Sequence, residues 1–292
     1  MRIIVTGAGG RLGPVVAREL AAAGHQVTAL RHADLDICDP DRLAAACGRL
    51  RPQALVNCAS YNAVDAAETN PEAAFALNAG GPANLAAAAL GHDALLVHYS
   101  TDFVFDGEAN VPYPEEAATN PLGVYGRSKL EGEREACRAR RHYVLRLASL
   151  FGGVGAGSHA AAIDWIADAL MAGRPVRAFV DRTVSPSYAV DVARATRALI
   201  ERNAPSAIYH CVSSGFTTWY DLANEVARLL GTSADIEPSL SVDAGRGARR
   251  PRFCALSNRR LLDLGVDMPA WQSAVSRHLA TRRMEVSANA SL

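Results

Sequence analysis

Several hallmarks of common protein classes are missing from this chain. Its six cysteines form no CxxC pair and have no histidine at metal-ligand spacing, so no metal is expected and reduced, buried thiols are the reading. No HExxH or GxSxG occurs, which removes zinc-protease and serine-hydrolase chemistry. No run of 18 apolar residues is present, and the stretch Met1 to Thr6 meets a glycine loop before it could form a signal-peptide core; a cytoplasmic protein without a membrane partner is expected. Lys+Arg 30 equals Asp+Glu 30, so the basic excess that nucleic acid requires is absent. Lysine itself is almost missing: Lys129 is the only one among the 30 basic residues.

What remains is globular. The 292 residues are 49% apolar and 21% charged, which suits one large or two modest domains. Short apolar runs alternate with alanine-rich helical stretches: strands at Arg2 to Thr6, Gln26 to Leu30, Ala54 to Cys58, Leu95 to Tyr99 and Tyr143 to Leu147, with helices at Pro14 to Ala23, Asp41 to Leu50, Pro71 through Leu90 and Gly123 to Cys137. Such alternation specifies an α/β, Rossmann-type doubly wound parallel sheet. Residues 1–150 are read as the dinucleotide-binding domain, its sheet completed by about 186–212, and 151–292 as a smaller substrate lobe. A helix is expected near Ala160 to Met171 and another at Thr218 to Leu230, with a frayed tail after Arg283.

Immediately after the first strand, TGAGGRLG places Gly7, Gly10 and Gly13 as GxxGxxG at the start of a helix. Glycines there allow a tight turn and close backbone approach to a pyrophosphate, while the helix end supplies N–H donors. A fold that prefers NAD usually ends its second strand with an acid; here the chain reads Ala29-Leu30-Arg31-His32. Arg31, and Arg11 from the loop, could pair with a 2′-phosphate, the alternative being ordinary surface arginines. NADPH is therefore favoured, with NADH second. Asp36 and Ile37, read as a further strand end, are placed to cap the adenine.

Tyr125 and Lys129 stand at i and i+4, on one helix face. A neighbouring ammonium is expected to draw the phenol pKa down from about 10 towards working pH, so that Tyr125 serves as general acid or base. That the sole lysine falls there points to a compact ammonium rather than a planar fork. Thr101, just past the strand ending at Tyr99, offers a hydroxyl to a carbonyl oxygen gaining charge. Asn78 fits either a water chain or helix packing.

TGAGGRLG, LDICDP, RPQALVNCASYNAVDAAE, LNAGG, YSTDFVFDG, NPLGVYGRSK, SPSYAVDVA and ARRPRFCALSN occur in that order. In them the chain resembles the extended short-chain dehydrogenases/reductases and, within these, the dTDP-4-dehydrorhamnose reductase family. The resemblance implies Thr101, Tyr125 and Lys129 as the catalytic set, Lys129 also holding the nicotinamide ribose. It implies a cofactor site that includes Leu12 and Ala59 with the residues above, a nucleotide-sugar 4-ketone as substrate, and a diphosphate held by the C-terminal lobe, where Arg249, Arg250 and Arg252 are candidates or else a solvated turn. Asp102 and Phe103 stand where a 4,6-dehydratase carries an Asp-Glu pair, which argues for plain carbonyl reduction. Ser149 stands where the family usually has a tryptophan near the sugar, and the acidic cluster of metal-linked dimers is not found. A homodimer is the base-rate assembly. The competing reading is a non-catalytic NADP-binding regulatory subunit, resembling the one that partners methionine adenosyltransferase.

Overall fold

Ile3 and Val5 pack on one helical layer and Ile4 on the opposite one, so the first strand is buried on both faces, as a central strand of a parallel sheet requires. The computed structural model describes residues 1–153, 161–233, 235–244 and 247–289. Its first half winds β1 (Arg2–Thr6), α1 (Gly13–Ala22), β2 (Gln26–Leu30), α2 (Pro40–Leu50), β3 (Ala54–Asn57), α3 (Val64–Thr69), α4 (Pro71–Phe75), a π-turn (Ala76–Gly80), α5 (Gly81–Gly91), β4 (Leu95–Thr101), α6 (Val124–Ala136) and β5 (Arg141–Leu147). The second half adds β6 (Leu150–Phe151), α7 (Ala162–Met171), β7 (Val176–Phe179), β8 (Thr183–Val184), β9 (Ser187–Tyr188), α8 (Ala189–Glu201), β10 (Ala207–His210), β11 (Thr217–Thr218), α9 (Trp219–Leu230), β12 (Ile236–Ser239), β13 (Phe253–Cys254), α10 (Arg259–Asp263) and α11 (Trp271–Asn289).

Six strands pair in the order β10-β5-β4-β3-β1-β2, all parallel. Helices α1 and α8 cover one face, and α2, α5 and α6 the other. The fold is the doubly wound α/β arrangement that the alternating pattern implies. Its winding reverses at β1, which lies between β2 and β3, and at such a switch point the strand ends part into a crevice. A second apolar cluster joins α7, α9 and α11 through Ile166, Leu170, Leu222, Val226 and Val275. Among the described residues no helix is long and apolar enough to cross a membrane.

Several elements differ from the sequence-based expectation. The single helix expected from Pro71 through Leu90 is broken into α4, the π-turn and α5. Pro82 explains the break: it has no N–H to give to the carbonyl of Asn78, and its ring would crowd that carbonyl in a regular turn. Strand β4 runs on through Thr101, because Ser100 and Thr101 pair with Arg146 and Leu147. Leu35 to Ile37 form no strand. The tail expected to fray after Arg283 continues as helix to Asn289, anchored where Arg282 bonds Asp168 at 2.7 Å and Arg283 bonds the Leu229 carbonyl at 3.1 Å. The expected helix start at Ala160 lies outside the described residues, as does most of the Gly152 to Gly157 loop. All six cysteines are free, but only Cys47, Cys211 and Cys254 are buried; Cys38, Cys58 and Cys137, which lie in the connections rather than within a helix or strand, keep some exposure.

One buried ion pair ties β4, β5 and α6 together. Arg146 donates from Nε and Nη2 to the two carboxylate oxygens of Glu133, each at 2.8 Å, and Ser100 donates to the same carboxylate at 2.5 Å. Both charged side chains are 3% exposed. Removing one partner from such a pair strands a buried charge and costs about 3 to 5 kcal/mol. Glu133→Gln is thus expected to lower stability in urea unfolding by about 3 kcal/mol or more, whereas Glu131→Gln, which breaks the exposed pair with Arg134, changes it by less than about 1 kcal/mol. Equal effects would show that the buried pair does not hold these elements together.

Candidate active site

A cavity of about 1100 Å³ opens at the carboxyl ends of β1, β3 and β4. Its floor is the loop that Gly7 makes possible. Gly7 sits at φ 69°, and a Cβ there would strike the backbone of Cys58 and Ala59 at the end of β3. A Cβ on Gly13 would lie 2.5 Å from the Gly7 carbonyl oxygen, so only glycine lets α1 begin tight against the loop. Gly10 has nothing closer than that same oxygen, 3.4 Å from its would-be Cβ, and faces the cavity with Arg11 and Leu12. Helix α1 starts with no side-chain cap and no acid in its first turn, which leaves its positive end to an anion. This cradle suits the pyrophosphate of a dinucleotide.

Around the cradle, Arg31, Ile37 and Ala59 line the cavity. The Arg31 stem lies 3.6 Å from the would-be Cβ of Gly9, so it rises beside the loop. Its guanidinium is mostly exposed and gives Nε to Asp34 at 3.2 Å. Arg11 is turned towards the second cluster: Nη1 donates to the Gly153 carbonyl at 3.2 Å and lies 3.6 Å from Asp164. Asp36 is set back from the wall, and its carboxylate accepts the Cys38 N–H at 2.9 Å. Asn78 is buried behind the wall, in the π-turn. Its amide accepts from Ser60 Oγ and the Tyr61 N–H and donates to the Tyr61 carbonyl and to Ser128 Oγ. It therefore joins the loop after β3 to α6.

At the far end of the cavity, Thr101, Tyr125 and Lys129 meet. Thr101, the last residue of β4, donates from Oγ1 to Asp102 Oδ1 at 2.9 Å and accepts the Phe103 N–H at 3.2 Å. Lys129 Nζ donates to the Tyr99 carbonyl at 2.6 Å, and burial brings its pKa down to about 8 against the pull of Glu133. The Tyr125 ring keeps some exposure, yet desolvation around its hydroxyl pushes the phenol well up, against a hydrogen bond with Thr101 and in concert with the Asp102 charge. This corrects the expectation that Lys129 draws the phenol down: the ammonium is turned to Tyr99, and burial outweighs it. Burial likewise raises Asp102 to about 6, opposed by the hydrogen bond from Thr101. Phe103 meets the Tyr125 ring edge-on, centroids 5.6 Å apart.

A side chamber of about 150 Å³ branches off here, sharing Asp102 and Ser149 with the large cavity. Its wall also includes Phe103, Arg182, Trp219, Arg250 and Cys254. Arg250 reaches it while bonded in bidentate fashion to Asp65, at 2.9 and 2.8 Å. Arg249 and Arg252 are exposed and line neither space. The sequence reading missed Arg182 and Trp219, and no spacing around either could have shown that they converge on Asp102. Among the described residues, no group of three His, Cys, Asp or Glu side chains is placed to hold a metal.

The family profile described as RmlD substrate binding domain matches residues 1–284. The dTDP-4-dehydrorhamnose reductase of Streptomyces griseus is 37% identical over 283 residues, covering 94% of this chain and 92% of its own. A probable dTDP-4,6-dihydroxy-2-methyloxan-3-one 4-ketoreductase of Streptomyces antibioticus is also 37% identical, over 279 residues, with 94% and 93% covered. The crystal structure of the Bacillus anthracis dTDP-4-dehydrorhamnose reductase in complex with NADP superposes with a TM-score of 0.90 at 26% identity, covering 96% of this chain and 99% of that one. With a match this long, and with the glycine cradle and the Thr101, Tyr125 and Lys129 cluster in one cavity, the chain belongs to the dTDP-4-dehydrorhamnose reductase family of extended short-chain dehydrogenases/reductases.

Proposed function

We propose that this protein reduces the 4-keto group of a nucleoside-diphosphate 6-deoxyhexose with NADPH. The observation that carries the reading is the meeting of a glycine cradle with the Thr-Tyr-Lys cluster in one cavity. Gly7, Gly10, Gly13 and the start of α1 fit the cofactor pyrophosphate, and Arg31 stands where a 2′-phosphate is read. Bound there, NADPH supplies the hydride. Thr101 positions the ketone oxygen with its hydroxyl, and the phenol of Tyr125 gives that oxygen a proton as it gains charge. A phenol held well above its ordinary pKa keeps the proton until it is needed, which suits the reducing direction. Lys129 is the ammonium one turn on, bonded to the Tyr99 carbonyl, and would hold a ribose of the bound cofactor.

The relatives bear reductase names, which favours this reading over the regulatory subunit. Phe103 after Asp102 offers no second acid for a dehydratase. Six free thiols suit a reducing cytoplasm, and a homodimer is proposed on base rate.

Purified protein with NADPH is expected to consume nucleoside-diphosphate 4-keto-6-deoxyhexoses and to ignore the same sugar nucleotides without a ketone, followed by loss of reduced-nicotinamide absorbance and by product NMR. NADPH binding with no oxidation on any ketone of the panel would instead favour the regulatory subunit. Tyr125→Phe should lower kcat by about 100-fold or more with NADPH affinity unchanged, and Lys129→Arg should weaken both. A normal Lys129→Arg enzyme would end the case for a compact ammonium. Arg31→Asp should erase the preference for NADPH over NADH, a loss of about 1.5 to 3 kcal/mol read by fluorescence titration of both cofactors; unchanged affinities would remove Arg31 from the site.

A further inference from the structure

The loop between β7 and β8 delivers Arg182 into the side chamber, where the residue is 9% exposed. Its Nε is buried and makes no hydrogen bond among the described residues. Around it are the Phe179 ring, 5.9 Å from Cζ, and the Cys254 thiol. A guanidinium cannot shed its proton, so a buried donor without a full acceptor is costly. That nitrogen is closed to solvent, so whatever enters the chamber meets the rest of the Arg182 side chain, which lines it.

The chamber's position says what that is. It branches from the large cavity at Asp102 and Ser149, beside the Thr101 hydroxyl, and none of the glycine-loop residues line it. Whatever enters is therefore attached near the reacting carbonyl. The small Ser149 side chain stands at the entrance, where a turn with φ 45° places it. Inside are a donor, Arg182, an acceptor, Asp102, the Trp219 indole, and Arg250 with its guanidinium bonded to Asp65, a set suited to the hydroxyls and apolar face of a sugar ring. At about 150 Å³ the space is far smaller than the main cavity of about 1100 Å³ and suits part of a sugar ring.

We propose that Arg182 is a specificity-determining residue that grips an acceptor oxygen of the hexose beside the ketone and so selects sugars bearing oxygen there. The proposal rests on the reductase reading of the same cavity. Its test compares dTDP with dTDP-rhamnose by calorimetry on the full chain, as wild type and as Arg182→Leu, with NADPH affinity as the check that the cavity is intact. Arg182→Leu should weaken dTDP-rhamnose about tenfold or more and leave dTDP within about twofold. Equal weakening of both ligands would place Arg182 on the diphosphate and overturn the proposal, as would no weakening of either. If Arg182→Leu fails to bind NADPH, Arg182→Lys, which keeps the charge and loses the fork, is judged by the same contrast. A contrast that persists in a protein that reduces no ketone would support the sugar grip and remove only the reductase reading.

Discussion

Helix α6 can carry Tyr125 and Lys129 to the end of β4 only because its backbone comes almost into contact with its neighbours. A Cβ on Gly126 would run into the Phe103 carbonyl, and one on Gly132 into the Asn78 carbonyl. The second contact depends in turn on Pro82, which leaves that carbonyl without its regular helical partner and opens the π-turn. Asn78 then bonds Ser128 on α6 and Ser60 and Tyr61 after β3, while Glu133, one turn beyond Lys129, is clamped by Arg146 and Ser100. The face that carries Tyr125 and Lys129 is held by backbone contact on one side and by a buried ion pair on the other.

That degree of burial also determines the chemistry. Desolvation moves the three titrating groups in the directions that disfavour charge: the Tyr125 phenol up, Asp102 up to about 6, and Lys129 down to about 8. For the proposed reduction, a raised phenol has the advantage that its proton stays on a neutral donor. The attraction between Tyr125 and Lys129 suggested by their spacing is real only to the extent that the ammonium points at the phenol, and here it points at the Tyr99 carbonyl.

Local pattern was a good guide wherever the determining interactions are short in sequence. The β-branched strands, the glycine triplet before α1 and the i, i+4 pair on α6 all follow from periodicity and turn chemistry, which act within a few residues. Even the break at Pro82 was legible in principle, since proline removes a donor from a known carbonyl. Thr101, Tyr125 and Lys129 were named from sequence, and they share one wall of the cavity.

The sequence by itself determined the α/β winding, the glycine cradle and the identity of the cluster, because each is written in neighbouring residues whose conformations sterics restricts. Only the tertiary structure decided which arginine faces the substrate chamber. Arg249 and Arg252 remain at the surface, whereas Arg250, bonded to Asp65, and Arg182, carried in by a loop whose place depends on pairing with β11 and β13, both line it. Side-chain burial and partner choice arise from segments far apart in the chain, and a guanidinium's surroundings cannot be read from its own neighbours in sequence.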